Sequence, residues 1–229
     1  MKFKDKHKLK QLLSKYRHGV ILFYFFIYML WFTYLERTVT ANFIPVESKL
    51  DKYIPFMEIF VIPYFLWFLF IFVTVAYFFF TSKHDFYKCC AFLFIGMTIC
   101  LIIYSIWPNG HHLRVNLSTL GRSNIFTRII GRLYSIDTAT NVCPSIHVYN
   151  SIGAMIAIRR SERLKHIKWL QISALILTVL ICMSTVFLKQ HSILDVFGGI
   201  LLSIIMYAFI YLPDRSRLTK KADHELSKV

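Results

Sequence analysis

An all-α, polytopic membrane helical bundle is the fold class this sequence predicts, and three observations predict it. Apolar residues make up 56% of the 229-residue chain and charged residues only 17%, where a soluble domain carries about 25% charged. Long apolar runs recur along the chain. The basic residues lie between those runs, with a one-sided bias. A soluble globule with 22 Phe residues would leave much of that surface in water, which excludes a soluble enzyme, a disordered chain and a small disulfide scaffold. The net charge of +15 would suit a nucleic-acid binder. No soluble basic domain is left to hold DNA or RNA, so no nucleic-acid partner is expected.

A hydrocarbon core about 30 Å thick needs roughly 17 to 25 mostly apolar helical residues. Five segments satisfy this: 19–35, 59–80, 89–107, 169–188 and 193–212. The basic opening followed by an apolar stretch resembles a signal peptide, but the stretch is long and aromatic and lacks a small-residue cleavage site. It reads as the first membrane helix. Pro63 is acceptable within the second span, because neighbouring helices can satisfy the carbonyl it frees. A sixth segment, 145–158, is apolar but short, and its first turn would have to begin inside the protein around a buried or watery cavity.

Charge bias argues for counting the sixth span. With six crossings and cytoplasmic N and C termini, the inner segments 1–18, 81–88, 159–168 and 213–229 carry 7, 2, 5 and 5 basic residues. The outer segments 36–58, 108–144 and 189–192 carry 3, 4 and 1, in keeping with the positive-inside rule. Without segment 145–158 as a span, the last two helices invert and a basic loop moves outside. The expected organisation is a basic cytoplasmic segment 1–18, a six-helix membrane domain 19–212 and a basic cytoplasmic tail 213–229. This is a multi-pass integral membrane protein, in the plasma membrane if bacterial.

Five cysteines add little. Cys89, Cys90, Cys100 and Cys182 sit in or beside apolar segments, where a free thiol acts as a small hydrophobe. No Cys-x2-Cys or Cys/His ligand spacing occurs, so a zinc-finger reading is unsupported, and no cofactor is expected.

Two stretches carry polar groups that a lipid-facing helix would not retain. In Cys143-Pro144-Ser145-Ile146-His147, Pro144 suits a first helical position. The amides of that turn and the Ser145 hydroxyl form an anion cradle at the positive end of the helix dipole. The second stretch runs from Ser184 to Asp195. If the last helix starts near His191, then His191 and Asp195 lie at i and i+4 on one face. The carboxylate can hold one ring nitrogen protonated and free the other for a substrate. Asp195 near a membrane helix end is costly without such a partner. The topology places both stretches at the outer face with Arg114, Arg122, Arg128 and Arg132, cations that a phosphate ligand would explain. Alternatively, Arg122, Arg128 and Arg132 rest on anionic lipid headgroups, or pair with Glu58 and Asp137. His111 and His112 read as exposed or interfacial loop residues, with substrate contact as the alternative.

On these motifs the sequence resembles the type 2 phosphatidic acid phosphatase superfamily of membrane lipid phosphatases and phosphotransferases. Its pattern is Lys-x6-Arg-Pro, then Pro-Ser-Gly-His, then Ser-Arg-x5-His-x3-Asp. Pro144-Ser145-Ile146-His147 is similar to the second, with Ile146 in the Gly position. Ser184 to Asp195 is similar to the third, with Thr185 in the Arg position. In the first, Arg114 stands at the Arg position, with Trp107 for Lys and Val115 for Pro. The resemblance covers residues 105–212. It implies a metal-independent phosphatase acting on a lipid phosphate or isoprenoid diphosphate at the non-cytoplasmic face. His191 would be the nucleophile that forms phosphohistidine, Asp195 its orienting acid, and His147 the acid and base. Arg114, Ser145 and Lys189 would bind the phosphoryl oxygens. The substituted cations keep two alternatives open: a phosphotransferase of the sphingolipid-synthase type (inositolphosphorylceramide or sphingomyelin synthase), and a non-enzymatic binder or transporter of anionic lipid.

Overall fold

The computed structural model describes residues 14–213. Most of the expected cytoplasmic segment 1–18, and the tail beyond 213, lie outside the described residues. Seven α-helices follow one another: α1 (Tyr24–Thr38, entered through a 3₁₀ stretch Arg17–Phe23), α2 (Val61–Thr81), α3 (Lys83–Ile106), α4 (Ile125–Ile136), α5 (Ile146–Arg160), α6 (Lys168–Phe187) and α7 (Ile193–Ile210). Among the described residues, five helical stretches are long and apolar enough to cross a membrane: 14–38, 58–81, 83–106, 168–187 and 193–210. Their outer faces are lined by exposed apolar side chains such as Phe65, Leu69, Phe72, Leu201 and Phe209, the surface expected of helices that face lipid tails. The chain is thus an all-helical, multi-pass membrane protein.

The short segment folds as α5, a helix of 15 residues, about 22 Å long at 1.5 Å per residue. It is the hub of the bundle, packed against α2, α3, α6 and α7. One end lies beside the C-terminus of α3, where the Tyr104 hydroxyl donates to Pro144 O at 2.5 Å. The other lies beside the N-terminus of α3, where Ser161 Oγ donates to Asp85 Oδ2 at 2.9 Å. The α5 helix therefore extends between the two ends of the bundle. Protein surrounds it, so it can carry the buried Asn150 and Ser151 that a lipid-exposed helix could not hold without loss.

Several local expectations change. The segment 81–88 is not a loop: only Ser82 separates α2 from α3, and its hydroxyl caps the Asp85 amide. Pro63 lies in the first turn of α2, where its missing N–H would have had no partner in any case, so no carbonyl needs rescue. Pro144 precedes the N-cap rather than occupying the first helical turn, and Ser145 is the N-cap of α5; the Cys143–Pro144 peptide is cis. The segment between α3 and α5 contains α4, started by a capping box between Asn124 and Thr127. Arg128 and Arg132 share its exposed face. A two-residue parallel pair, β1 (Ile44–Pro45) with β2 (Asn109–Gly110), ties the α1–α2 connection to the segment after α3.

Without a hydrophobic drive between helices in lipid, close approach by small residues sets the packing. At Gly96 of α3 a Cβ would lie 2.0 Å from the Tyr149 ring of α5, which stacks on Phe92 at 4.9 Å. At Gly199 of α7 a Cβ would lie 2.9 Å from the Ser145 carbonyl oxygen. That second contact seats the start of α7 against the start of α5, and so brings the two sequence motifs together.

Candidate functional site

The site forms at the end of the bundle where α6 stops and α5 and α7 begin. Thr185 O ends α6 by accepting the amides of Gln190 and His191, each at 3.0 Å. Lys189 takes a left-handed conformation in that turn, with φ 54°. Ser192 then caps α7 in a reciprocal box with Asp195. Asp195 Oδ2 accepts from the Ser192 amide at 2.9 Å and from His191 Nδ1 at 3.2 Å. The i, i+4 pair expected from spacing is therefore built into the helix cap. With Nδ1 as donor, the Nε2 lone pair of His191 is free.

The His147 ring lies 5.9 Å from that of His191, centroid to centroid, at 63°. Its other neighbours come from α2: Tyr64 at 4.6 Å and Trp67 at 4.4 Å, residues at i and i+3 on one helix face. Ser145, fully buried, uses its hydroxyl on the Val148 amide and its own amide on Asp195 O at 3.0 Å. Two imidazoles and an acid from separate helix starts thus share one space.

The two basic residues expected at the phosphoryl group are both committed to the protein. Arg114 Nη1 donates to Tyr134 O and Asp137 O, and Nη2 to Thr138 O and Gln190 Oε1, all within 2.9 Å. Its guanidinium also stacks on the Tyr134 ring at 4.6 Å. Burial lowers its pKa, with Asp137 acting in the opposite sense. Lys189 Nζ donates to Asp51 O at 2.7 Å and Ile54 O at 2.6 Å, and burial lowers its pKa as well.

Other residues at the site have no motif to mark them. Asp51, 1% exposed, caps α7 from 140 residues upstream, accepting from Ile193 N at 2.9 Å and Ser192 Oγ at 2.7 Å. Its Ser48-x-x-Asp51 capping box was the one signal available in the sequence. Asp137 ends α4 with its carboxyl against the Tyr64 hydroxyl, and burial followed by the nearby Glu36 raises its pKa to about 6. His111 is not exposed but buried. Its Nε2 donates to Gln190 O at 2.8 Å, and its Nδ1 accepts the Leu113 amide at 3.1 Å. Those two bonds fit only the neutral ring, and burial lowers its pKa to about 4. Among the described residues no group of three or more His, Cys, Asp or Glu side chains could hold a metal ion.

The structure is thus a polytopic helical bundle with two histidines and an acid gathered at one end. Residues 121–217 match the family model of the PAP2 superfamily, the group the motifs resemble. Over that stretch the chain is similar to a superfamily whose members are phosphatases or phosphotransferases. The matched stretch includes His147, His191 and Asp195 and begins after Arg114. Neither the curated proteins nor the solved structures returned a match.

Proposed function

We propose that the protein is an integral membrane phosphatase that hydrolyses a lipid phosphate or isoprenoid diphosphate through phosphohistidine. The observation carrying this reading is the His191 ring, hydrogen-bonded to Asp195 at Nδ1 and 5.9 Å from the His147 ring. The His191 Nε2 lone pair attacks phosphorus, the bond to the leaving oxygen breaks, and His147 gives that oxygen a proton. His147, now neutral, takes a proton from water as the water oxygen bonds to phosphorus and the P–N bond breaks. Asp195 stabilises the imidazolium character of His191 throughout. In this reading the bundle crosses the bilayer six times with both termini cytoplasmic. The site then opens to the non-cytoplasmic face, at the plasma membrane if the source is bacterial, with the bilayer and a lipid phosphate as partners.

The test is a panel of phosphatidic acid and isoprenoid diphosphates assayed with EDTA present. Release of phosphate by the parent, with loss of release and of acid-labile label in His191→Ala, is expected. Full release by His191→Ala would refute the mechanism.

A second reading is a phosphotransferase that passes a headgroup from a phosphodiester lipid to an alcohol. One observation favours it: Arg114 and Lys189 spend their Nη and Nζ groups on protein acceptors, leaving less positive charge for a dianionic monoester. It predicts a new phospholipid, rather than free phosphate, when donor and acceptor lipids are supplied together. Binding of lipid with no turnover of either kind would point to a binder or transporter.

A further inference from the structure

The contacts around the two histidines close into a ring. Arg114 reaches Gln190 Oε1 at 2.7 Å and the Asp137 carbonyl at 2.8 Å. The Asp137 carboxyl meets Tyr64, Tyr64 stacks on His147 at 4.6 Å, and His147 faces His191, the residue after Gln190. In this ring, and beside it where Trp67 packs on His147, several buried polar atoms have no partner in the protein. Three of them are donors: Gln190 Nε2, Arg114 Nε and the Trp67 indole N–H. Buried donors left unpaired are rare and point to something they serve.

Gln190 is the most constrained of the three. It is 2% exposed. Its backbone is pinned at both ends, by the amide to Thr185 O and by the carbonyl to His111. A guanidinium can only donate, so Arg114 fixes which end of the side-chain amide is oxygen. The NH2 group is thereby turned away from Arg114, and its hydrogens have no protein acceptor. The third motif, meanwhile, has Thr185 in the Arg position, and that hydroxyl is spent on Cys182 O at 2.8 Å.

We propose that Gln190 Nε2 is a donor to the transferred phosphoryl group, and that Arg114, through its Nη2 bond to Oε1, is a positioning residue that orients and polarises the Gln190 amide. The charge of Arg114 then reaches the phosphoryl oxygens through a neutral amide. This suits a site whose remaining cation, Lys189, is held by backbone carbonyls. The inference deepens the proposed function and rests on the same site.

Gln190→Glu separates a donor from a structural role. It keeps the shape and exchanges the Oε1 contact with Arg114 for a charged one, so the fold is retained, while an acceptor replaces the donor. Orthovanadate, a phosphoryl mimic, is the probe. Its stabilisation of the full-length protein in detergent is read by thermal shift, alongside turnover of phosphatidic acid. Expected are an unchanged or higher Tm for Gln190→Glu without vanadate, loss of the vanadate shift, and a fall in kcat of about 10²-fold, the loss typical of one oriented donor. Gln190→Ala should lose the vanadate shift too. Vanadate binding and kcat in Gln190→Glu within about twofold of the parent would overturn the proposal and leave the phosphatase reading standing. A parent stabilised by vanadate without turnover of any lipid phosphate, with that shift lost in Gln190→Glu, would uphold the proposal and refute the phosphatase reading. No vanadate shift in the parent would overturn the proposal.

Discussion

Replacing Arg114 by Gln tests whether this cation is a tether or a ligand for substrate. In the structure it holds the end of α4 and the following strand of loop through three carbonyls, those of Tyr134, Asp137 and Thr138, and fixes Gln190 through a fourth bond. A hydrogen bond from a charged donor contributes roughly 1.5–3 kcal/mol, and a neutral one about 1 kcal/mol. Four bonds offset by the desolvation of a buried guanidinium leave about 4 kcal/mol for the group. On the scale of soluble domains of this size, where 1 kcal/mol moves Tm by about 2–4 °C, Arg114→Gln should lower Tm by about 10 °C. Arg114→Lys should recover little, because a point donor cannot serve four acceptors arranged for a planar fork. The assay is intrinsic fluorescence on heating in detergent, paired with kcat and KM for phosphatidic acid at a temperature where both variants are folded. A Tm within 1 °C of the parent, together with a KM raised tenfold or more, would refute the tether and make Arg114 a direct phosphate ligand.

Three further outcomes follow from named contacts. Asp195→Asn keeps an oxygen for His191 Nδ1 and the Ser192 amide but removes the charge behind the ring; kcat should fall by roughly 10²- to 10⁴-fold with Tm little changed, and retention of more than a tenth of the parent rate would sink the orienting role. Gly199→Val adds atoms where a Cβ already lies 2.9 Å from Ser145 O; about 1–3 kcal/mol of destabilisation and a loss of activity are expected, and an active protein of unchanged Tm would contradict that close approach. Acid stability depends on two groups of opposite sign. The His111 pKa is depressed from 6.5 to about 4, so its contribution is intact above 6.5 and lost as pH falls toward 4. The Asp137 pKa is raised from 3.8 to about 6, so its contribution is intact below 3.8 and lost as pH rises through 6. Each is worth roughly 3 kcal/mol at most, at about 1.4 kcal/mol per unit. Asp137→Asn should therefore be more stable than the parent at pH 7.5 and no more stable at pH 4, and an equal gain at both values would show that this carboxyl does not titrate between them.

How far the sequence reveals the site depends on the distance over which each contact acts. His191 and Asp195 are legible because a helix converts four residues of spacing into one face, and the same cap that starts α7 aims the acid. Tyr64 and Trp67 are half legible, as two polar-edged aromatics at i and i+3 near the start of a span, but nothing in α2 says that His147 is what they touch. Asp51 and Gln190 were hidden. One reaches its partners across 141 and 142 residues, the other takes its meaning from an arginine 76 residues away, and neither separation leaves a periodic trace. The protein contacts of the basic residues were hidden for a related reason. A cation in an outer loop reads as a ligand for anions, yet Arg114 and Lys189 are used to satisfy carbonyls that irregular backbone leaves open near the membrane, an obligation that does not lapse because a substrate is also present.

Hydropathy runs out at α5 for a physical reason too. Spans are recognised by the apolar surface they show to lipid, and α5 shows almost none, being enclosed by four other helices. Enclosure is also what allows this helix to begin with Ser145 and His147 and to bury Asn150 and Ser151. The helix that shows least surface to lipid is for that reason the one free to bury polar side chains. Its N-terminus is held against α7 by the Ser145 amide on Asp195 O and by the missing side chain of Gly199. Site geometry and bundle packing are therefore the same contacts, and a substitution that loosens the α5–α7 seam should separate the two histidines before it unfolds the protein.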